Sequence, residues 1–328
     1  MRILCVIIVI AILTALVCGC AGEQPEPVSE TRLLLDTYCT ITIYGPHDSS
    51  LLAQAFEMCA EYEALLSITL EGSDVWRINH AGGAPVEVSP QTIELIRTGL
   101  EFGEISGGLF DVTIGRLSRL WDFSGNPSVP GANELEAARS TVDYRQIVVN
   151  TDTVRMGDPE AWIDLGGIAK GYIAGCIAGF LIGRGVTGAV VDLGGDVAIV
   201  GGKPDGSPWK VGVRRPFGER SELLGAIETG EASIVTSGVY ERGFEENGVR
   251  YHHILDPNTG MPVDSDVVSV TVVAENAMLG DVMSTIIMLV GSENALDTLG
   301  QTPGFFGALL VLKSGELLQL GVIDFIEF

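Results

Sequence analysis

Residues 162–175 read WIDLGGIAKGYIAG and residues 190–202 read VVDLGGDVAIVGG, so Asp-Leu-Gly-Gly begins at Asp164 and again, 28 residues later, at Asp192. The two copies lead into different patterns. After the first, Ile168 to Gly183 carries apolar residues at helical density, whereas a β-branched run resumes directly after the second. The first copy therefore reads as strand, glycine turn, helix, and the second as strand, tight turn, strand. From there to the C-terminus strand-like runs dominate: WKVGVRRP, LGAIETGEASIVTSG, RYHHILD and VVSVTVVAE, then a helix from Met278 to Val290, a short helix at NALDTLG and a hairpin at GALLVLKSGELLQLG. Strands cluster rather than alternate with helices. The fold class is α+β, with mixed or antiparallel sheets and packed helices, and not a doubly wound sheet.

Upstream, TRLLLDTYCTITIYG reads as one strand ending at Gly45, and residues 49–67 as an amphipathic helix capped by Asp48 or Ser49. EGSDVWRINHAGGAPVEVSP supplies turn formers and a short strand, and Ser-Pro opens a helix from Ser89 to Gly103. A Pro/Gly loop leads through NELEAARS, a short helix, to the hairpin QIVVN and TVRMG.

The first thirty residues stand apart. MRILCVIIVIAILTALVCGC has a basic Arg2, an apolar run too short for a comfortable membrane span, and then small residues and cysteine. This is a secretory signal, and its end is similar to a lipobox, with Gly19 before Cys20. Residues 1–19 would be a lipoprotein signal peptide, Cys20 the lipidated first residue, residues 20–30 a polar tether and residues 31–328 a single domain or two intimate lobes. The alternative is an uncleaved signal anchor. Both place the globular part outside the cytoplasm, lipid-anchored at the cell membrane in the first case, facing a periplasm or the exterior.

A formal net charge of −24 argues against nucleic acid as a partner, because phosphate binding there needs a basic stripe. An anionic small ligand is still admissible through helix N-termini, a few basic side chains or bound cations. Beyond the leader only Cys39, Cys59 and Cys176 remain, odd in number, far apart and set among apolar residues. They read as buried thiols and not as a disulfide framework or zinc site.

Three features could carry chemistry. Asp164, Gly166, Gly167 and the helix start with Lys170 form either an anion site or a close-packed turn, and Gly194 and Gly195 would leave bare backbone beside it. In RYHHILDPNTG the turn Asp256 to Gly260 would hold His253 and Asp256 at a cleft edge, and adjacent strand residues face opposite ways, so at most one of His252 and His253 points into it. Asp281 and Thr285 are four apart on an apolar helix and so share a face. They would offer hard oxygens to Mg²⁺ or Ca²⁺, or else cap and back-bond their own helix.

Taken in order, DLGGIAKGY, DLGGD, TSGVYER, HILDPNTG and GDVMST closely resemble the ApbE family of FAD:protein FMN transferases, and the resemblance extends from LLDTYCTITIYG through FDVTIGRLSRLWDF to SVTVVAENAMLGDVMSTIIMLVG. It implies an ApbE-like, T-fold-like architecture. It also implies Mg²⁺-dependent transfer of FMN from FAD, the substrate, to a Thr or Ser hydroxyl of an exported acceptor protein with a Ser/Thr-Gly-Ala-Thr-like site, releasing AMP. By the family's pattern the metal would be held by Ala169 through its carbonyl, Asp281 and Thr285. His253 would be the base, Asp256 would orient the loop or the histidine, and Lys170 would neutralise phosphate charge. Asp164, Gly166, Gly167, Gly194 and Gly195 would admit the dinucleotide, with Ser237 and Tyr240 along the flavin or ribityl end. The chain departs from the pattern at Val239, Gly280 and Thr69. Rival readings are a FAD pyrophosphatase giving FMN and AMP, a non-catalytic flavin-binding lipoprotein, and a solute-binding lipoprotein that would need none of these motifs.

Overall fold

The computed structural model describes residues 26–219 and 221–328, so the leader, Cys20 and most of the expected tether lie outside the described residues. Strand β1 (Val28–Leu34) begins within the segment expected as tether and pairs along its whole length with β2 (Thr37–Ile43). The stretch that reads in sequence as one strand is a hairpin. It turns on Leu35 and Asp36, both at positive φ (54° and 55°).

Helix α1 (Leu51–Leu66) forms as expected. Helix α2 (Asp74–Asn79) was not expected among the surrounding turn formers; it starts because the Ser73 side chain accepts the Trp76 amide. Next come β3 (Val86–Glu87), α3 (Pro90–Ile105) with Ser89 as its cap, α4 (Gly115–Trp121), α5 (Ala132–Arg139) and the hairpin β4 (Ile147–Val149) and β5 (Thr153–Met156). The remainder is α6 (Ala169–Gly183), β6 (Gly188–Leu193), β7 (Asp196–Gly201), β8 (Trp209–Arg214), β9 (Leu223–Thr229), β10 (Ser233–Gly238), β11 (Gly243–Glu246), β12 (Val249–His252), β13 (Val267–Ala274), α7 (Ala277–Val290), α8 (Ala295–Leu299), β14 (Phe305–Leu312), β15 (Leu317–Gly321) and β16 (Asp324–Glu327).

Eight strands form the main sheet in the order β1-β2-β6-β7-β10-β13-β14-β15, with every neighbouring pair antiparallel. Side-chain alternation divides it into two buried faces. Val191, Ala198, Val235, Val272 and Leu310 pack towards the helices, while Ile199, Ile234, Val273 and Leu309 pack towards the other side. A three-stranded sheet, β16-β9-β8, contributes Trp209, Val213, Leu224 and Ile227 to that second side. Each such fully buried aliphatic side chain contributes roughly 1.5–3 kcal/mol. The run LGAIETGEASIVTSG thus splits, with β9 in the small sheet and β10 in the large one.

A third, aromatic cluster joins Leu117, Trp121 and Leu255 to Phe123, Phe244 and Tyr251, and Trp121 Nε1 donates to the Gly260 carbonyl at 2.8 Å. It ties α4 to the β11–β12 hairpin and to the Asp256–Gly260 turn. Cys39 and Cys59 are buried free thiols and Cys176 is a partly buried one. Among the described residues no helix is long and apolar enough to cross a membrane.

Candidate functional site

Each Asp-Leu-Gly-Gly copy folds its aspartate back over its own glycines. Asp164 Oδ1 accepts the Gly166 amide at 2.8 Å and its Oδ2 accepts the Ser118 hydroxyl at 2.6 Å; Asp192 Oδ1 accepts the Gly195 amide at 2.8 Å. The repeated tetrapeptide is a self-capping turn; the second copy ends β6, whereas the first follows only an isolated bridge between Ile114 and Trp162 and not the expected strand. Gly194 and Gly195 need positive φ (71° and 100°), and a Cβ at Gly194 would lie 2.4 Å from Thr37 Oγ1. The Gly166 and Gly195 amides are therefore engaged with carboxylates.

The start of α6 is likewise engaged. The Gly171 amide donates to Asp281 Oδ2 at 3.1 Å, so an aspartate from α7 sits on the partially positive end of α6, where an external anion was expected. Asp281 does not cap its own helix: the N-cap is Asn276, whose side chain accepts from the Leu279 amide. This contact depends on glycine. A Cβ at Gly171 would stand 2.2 Å from the Ala277 carbonyl oxygen and 2.8 Å from Asp281 Cβ.

Lys170 Nζ lies 2.6 Å from Asp196 Oδ2 and 3.5 Å from Asp281 Oδ2, and both carboxylates are almost fully buried. Burial works against the Lys170 ammonium, but Asp196 and then Asp281 more than offset it and raise its pKa above the ordinary lysine value. Burial first, then the facing Asp281 carboxylate, hold Asp196 well above the usual carboxylate range despite Lys170. Asp196 was absent from the expected site. The signal was legible all the same: a carboxylate directly after the second glycine pair, opening an otherwise apolar strand.

His253 follows β12 and its Nδ1 faces the Arg242 carbonyl at 3.2 Å. A carbonyl can only accept, so Nδ1 carries the proton and Nε2 keeps its lone pair. Burial, then the Arg242 charge, push the ring's pKa down to about 3, and it is neutral at pH 7. His252 looks elsewhere. It is 8 % exposed, its Nδ1 is buried without a hydrogen-bond partner among the described residues, and burial pushes its pKa down to about 4. Asp256 accepts from the Asn258 amide, the Asn258 side chain and the Thr259 hydroxyl. It shapes the turn, and the Arg242 carbonyl orients the histidine instead.

The residues expected at the flavin end are engaged with protein. Ser237 Oγ contacts Ser284 Oγ at 2.7 Å, tying β10 to α7, and the Tyr240 hydroxyl contacts Ser269 at 3.3 Å while the guanidinium of Arg214 stacks on its ring. Thr69 is exposed in the turn after α1, 3.1 Å from the Ser67 hydroxyl. Val239 packs against the main core. Gly280 has a steric reason, since a Cβ there would come within 2.7 Å of Val235.

Ala169 is the first residue of α6, while Asp281 and Thr285 share a face of α7 with Thr285 Oγ1 only 3.6 Å from where a Gly167 Cβ would stand. No group of three or more His, Cys, Asp or Glu side chains arranged to hold a metal occurs among the described residues. The expected set uses a single carboxylate. It fits a hard cation on two observations: the Thr285 hydroxyl makes no hydrogen bond among the described residues, while two buried carboxylates, Asp196 and Asp281, share one ammonium.

The model of the ApbE family matches residues 35–310. A FAD:protein FMN transferase of Klebsiella pneumoniae is 34% identical over 295 residues, covering 88% of this chain and 90% of its own. One of Treponema pallidum is 31% identical over 345 residues, covering 98% and 95%. Among solved structures, the ApbE protein of Thermotoga maritima superposes with a TM-score of 0.83 at 32% identity, covering 90% of this chain and 97% of its own. The flavin transferase ApbE of Vibrio cholerae gives 0.80 at 29%, covering 90% and 96%. With paired glycine turns, two helix starts locked through Gly171, and a matching family over most of its length, this chain belongs to the ApbE family.

Proposed function

We propose that this chain is a Mg²⁺-dependent transferase that moves the FMN portion of FAD onto a Thr or Ser hydroxyl of an exported acceptor protein and releases AMP. The names of its relatives support FAD as donor and a protein as acceptor. The observation that carries the reading is the buried Lys170–Asp196–Asp281 cluster, with the neutral His253 within electrostatic reach of Lys170.

In this reading the hydroxyl attacks the FMN-side phosphorus, a phosphoester bond forms, the bond to the AMP phosphate breaks, and AMP leaves. His253 takes the hydroxyl proton at Nε2, the ring nitrogen that faces no carbonyl. A low pKa suits this role, because an incoming anion raises it. Asp281, Thr285 and the Ala169 carbonyl would hold Mg²⁺, which when bound neutralises charge on the phosphate oxygens. Lys170 adds to that field from a side chain still 26 % exposed. Asp164 and Asp192 keep the two glycine turns folded, which leaves bare backbone at Gly167 and Gly194 for the dinucleotide to approach.

The deciding experiment incubates the chain from Ala21 onwards with FAD, Mg²⁺ and a Ser/Thr-Gly-Ala-Thr-bearing protein, and reads AMP release together with fluorescence of the acceptor on a denaturing gel. Release without a fluorescent acceptor makes the chain a pyrophosphatase, and binding without release makes it a flavin carrier. Loss of release in Asp281→Ala supports the metal assignment. For location, lipid anchoring at Cys20 predicts that Cys20→Ala moves the protein out of the membrane fraction; an unchanged distribution sinks it.

A further inference from the structure

The cations that the site presents to a dinucleotide are fewer than the sequence suggests. The start of α6 is occupied by Asp281, and Lys170 is held between two carboxylates. One guanidinium nearby is uncommitted. Arg242 makes no ion pair and no side-chain hydrogen bond among the described residues, although the chain carries 43 acidic side chains against 19 Lys and Arg. Its neighbours Arg214 and Arg215 are both paired, with Glu241 and Glu222.

The position of Arg242 is set by strand register. β11 and β12 pair Gly243 with His252, and one step outward the His253 amide donates to the Arg242 carbonyl at 3.2 Å. Arg242 and His253 are thus directly opposed across the hairpin mouth, and opposed residues of an antiparallel pair project to the same face. The opposite face is that of His252. The guanidinium charge is felt by both His253 and Lys170.

We propose that Arg242 is a phosphate-binding residue of this site, gripping the FAD pyrophosphate from the hairpin side while the α6–α7 cluster engages it from the helix side. This rests on the reading of FAD as substrate. A fork-shaped guanidinium matches two phosphate oxygens at once, and a charge-assisted contact of this kind is worth roughly 10- to 100-fold in affinity. Bound phosphate would also offset the Arg242 charge that faces His253.

The test is equilibrium binding of FAD and of phosphate-free riboflavin to the parent, Arg242→Gln and Arg242→Lys proteins, without turnover in the absence of Mg²⁺, with thermal melts to establish that each variant is folded. Arg242→Gln should lose about 10- to 100-fold in FAD affinity with riboflavin affinity unchanged, and FAD binding should become less sensitive to salt. Arg242→Lys should recover part of the loss, as a point charge without the fork. Equal FAD affinity in parent and Arg242→Gln overturns the phosphate-binding role alone, as does an equal loss for riboflavin. A parent that binds no FAD overturns the substrate reading itself.

Discussion

Lys170 and Asp196 meet at 2.6 Å between the first turn of α6 and the first residue of β7, each placed by the turn that an Asp-Leu-Gly-Gly copy builds. The repeat thereby delivers one cation and one anion to the same buried point, and Asp281 arrives from α7 as a second anion. Lys170→Met would leave two facing carboxylates without a counter-charge. Breaking a buried pair in this way costs roughly 3–5 kcal/mol. The loss should be greater at pH 8 than at pH 5, because burial and the facing Asp281 hold the Asp196 carboxyl above the usual carboxylate range and so favour its neutral form as the pH falls. Urea denaturation at the two pH values checks this, and a deficit independent of pH contradicts it.

Gly171 and Gly175 lie one turn apart on α6 and should respond oppositely to alanine. At Gly171 the added methyl meets the Ala277 carbonyl oxygen at 2.2 Å, so the helices must separate and stability should fall by about 1–3 kcal/mol or more. At Gly175 nothing lies within 4 Å, and the helix should gain about 0.5–1 kcal/mol. Paired melting curves decide between steric locking at α6–α7 and a general intolerance of this helix.

Thr285 separates a metal-ligating hydroxyl from a packing methyl. Thr285→Val keeps the shape and removes the oxygen, and should weaken Mg²⁺ binding about tenfold or more by calorimetry, whereas Thr285→Ser should stay close to the parent. Equal affinity in the valine variant removes Thr285 from the ligand set.

His252 makes the fold acid-sensitive independently of the site chemistry. The folded ring titrates at about 4 and an unfolded histidine near 6.5, so the unfolded chain binds the proton first as pH falls. The stability held above pH 6.5 is therefore lost between 6.5 and 4, amounting to about 3 kcal/mol for this ring. His252→Phe removes both the titration and the orphaned Nδ1, and its stability should fall less across that window. Parallel curves for parent and variant would contradict the assignment.

How much of this was legible depends on how local the cause is. The long helices α1, α3, α6 and α7 arise from apolar periodicity, and the caps at Ser89 and Asn276 sit at the starts of α3 and α7. The α+β class comes from clustered strands. Period two on each strand could not show that LGAIETGEASIVTSG divides between two sheets, because β9 and β10 are apolar on both faces and the choice of partner is made by tertiary packing. At the site, Lys170, His253 and Asp281 stood out as chemistry-bearing residues in turn or helix contexts. Asp196 was legible as a carboxylate opening an apolar strand, whereas the capture of the α6 start by Asp281 is a contact across 110 residues that no spacing rule reveals.

The first hairpin shows the same limit in a form that can be measured. Leu35 and Asp36 hold positive φ at both central positions, as in a type I′ turn, where Asn-Gly is the usual sequence and a leucine is strained. With no such signal, TRLLLDTYCTITIYG reads as a single strand. The turn forms because the seven-residue register from Val28↔Ile43 to Leu34↔Thr37 and burial of Cys39, Ile41 and Ile43 against the helices outweigh the local cost. Exchanging Leu35→Asn together with Asp36→Gly should relieve it and raise stability by about 0.5–2 kcal/mol, read from the denaturation midpoint. The turn adjoins Thr37, which lies against Gly194, so FAD binding is measured alongside to separate relief of strain from a change at the site. A loss of stability instead would mean that Leu35, which packs against the main core, contributes more through burial than its backbone costs.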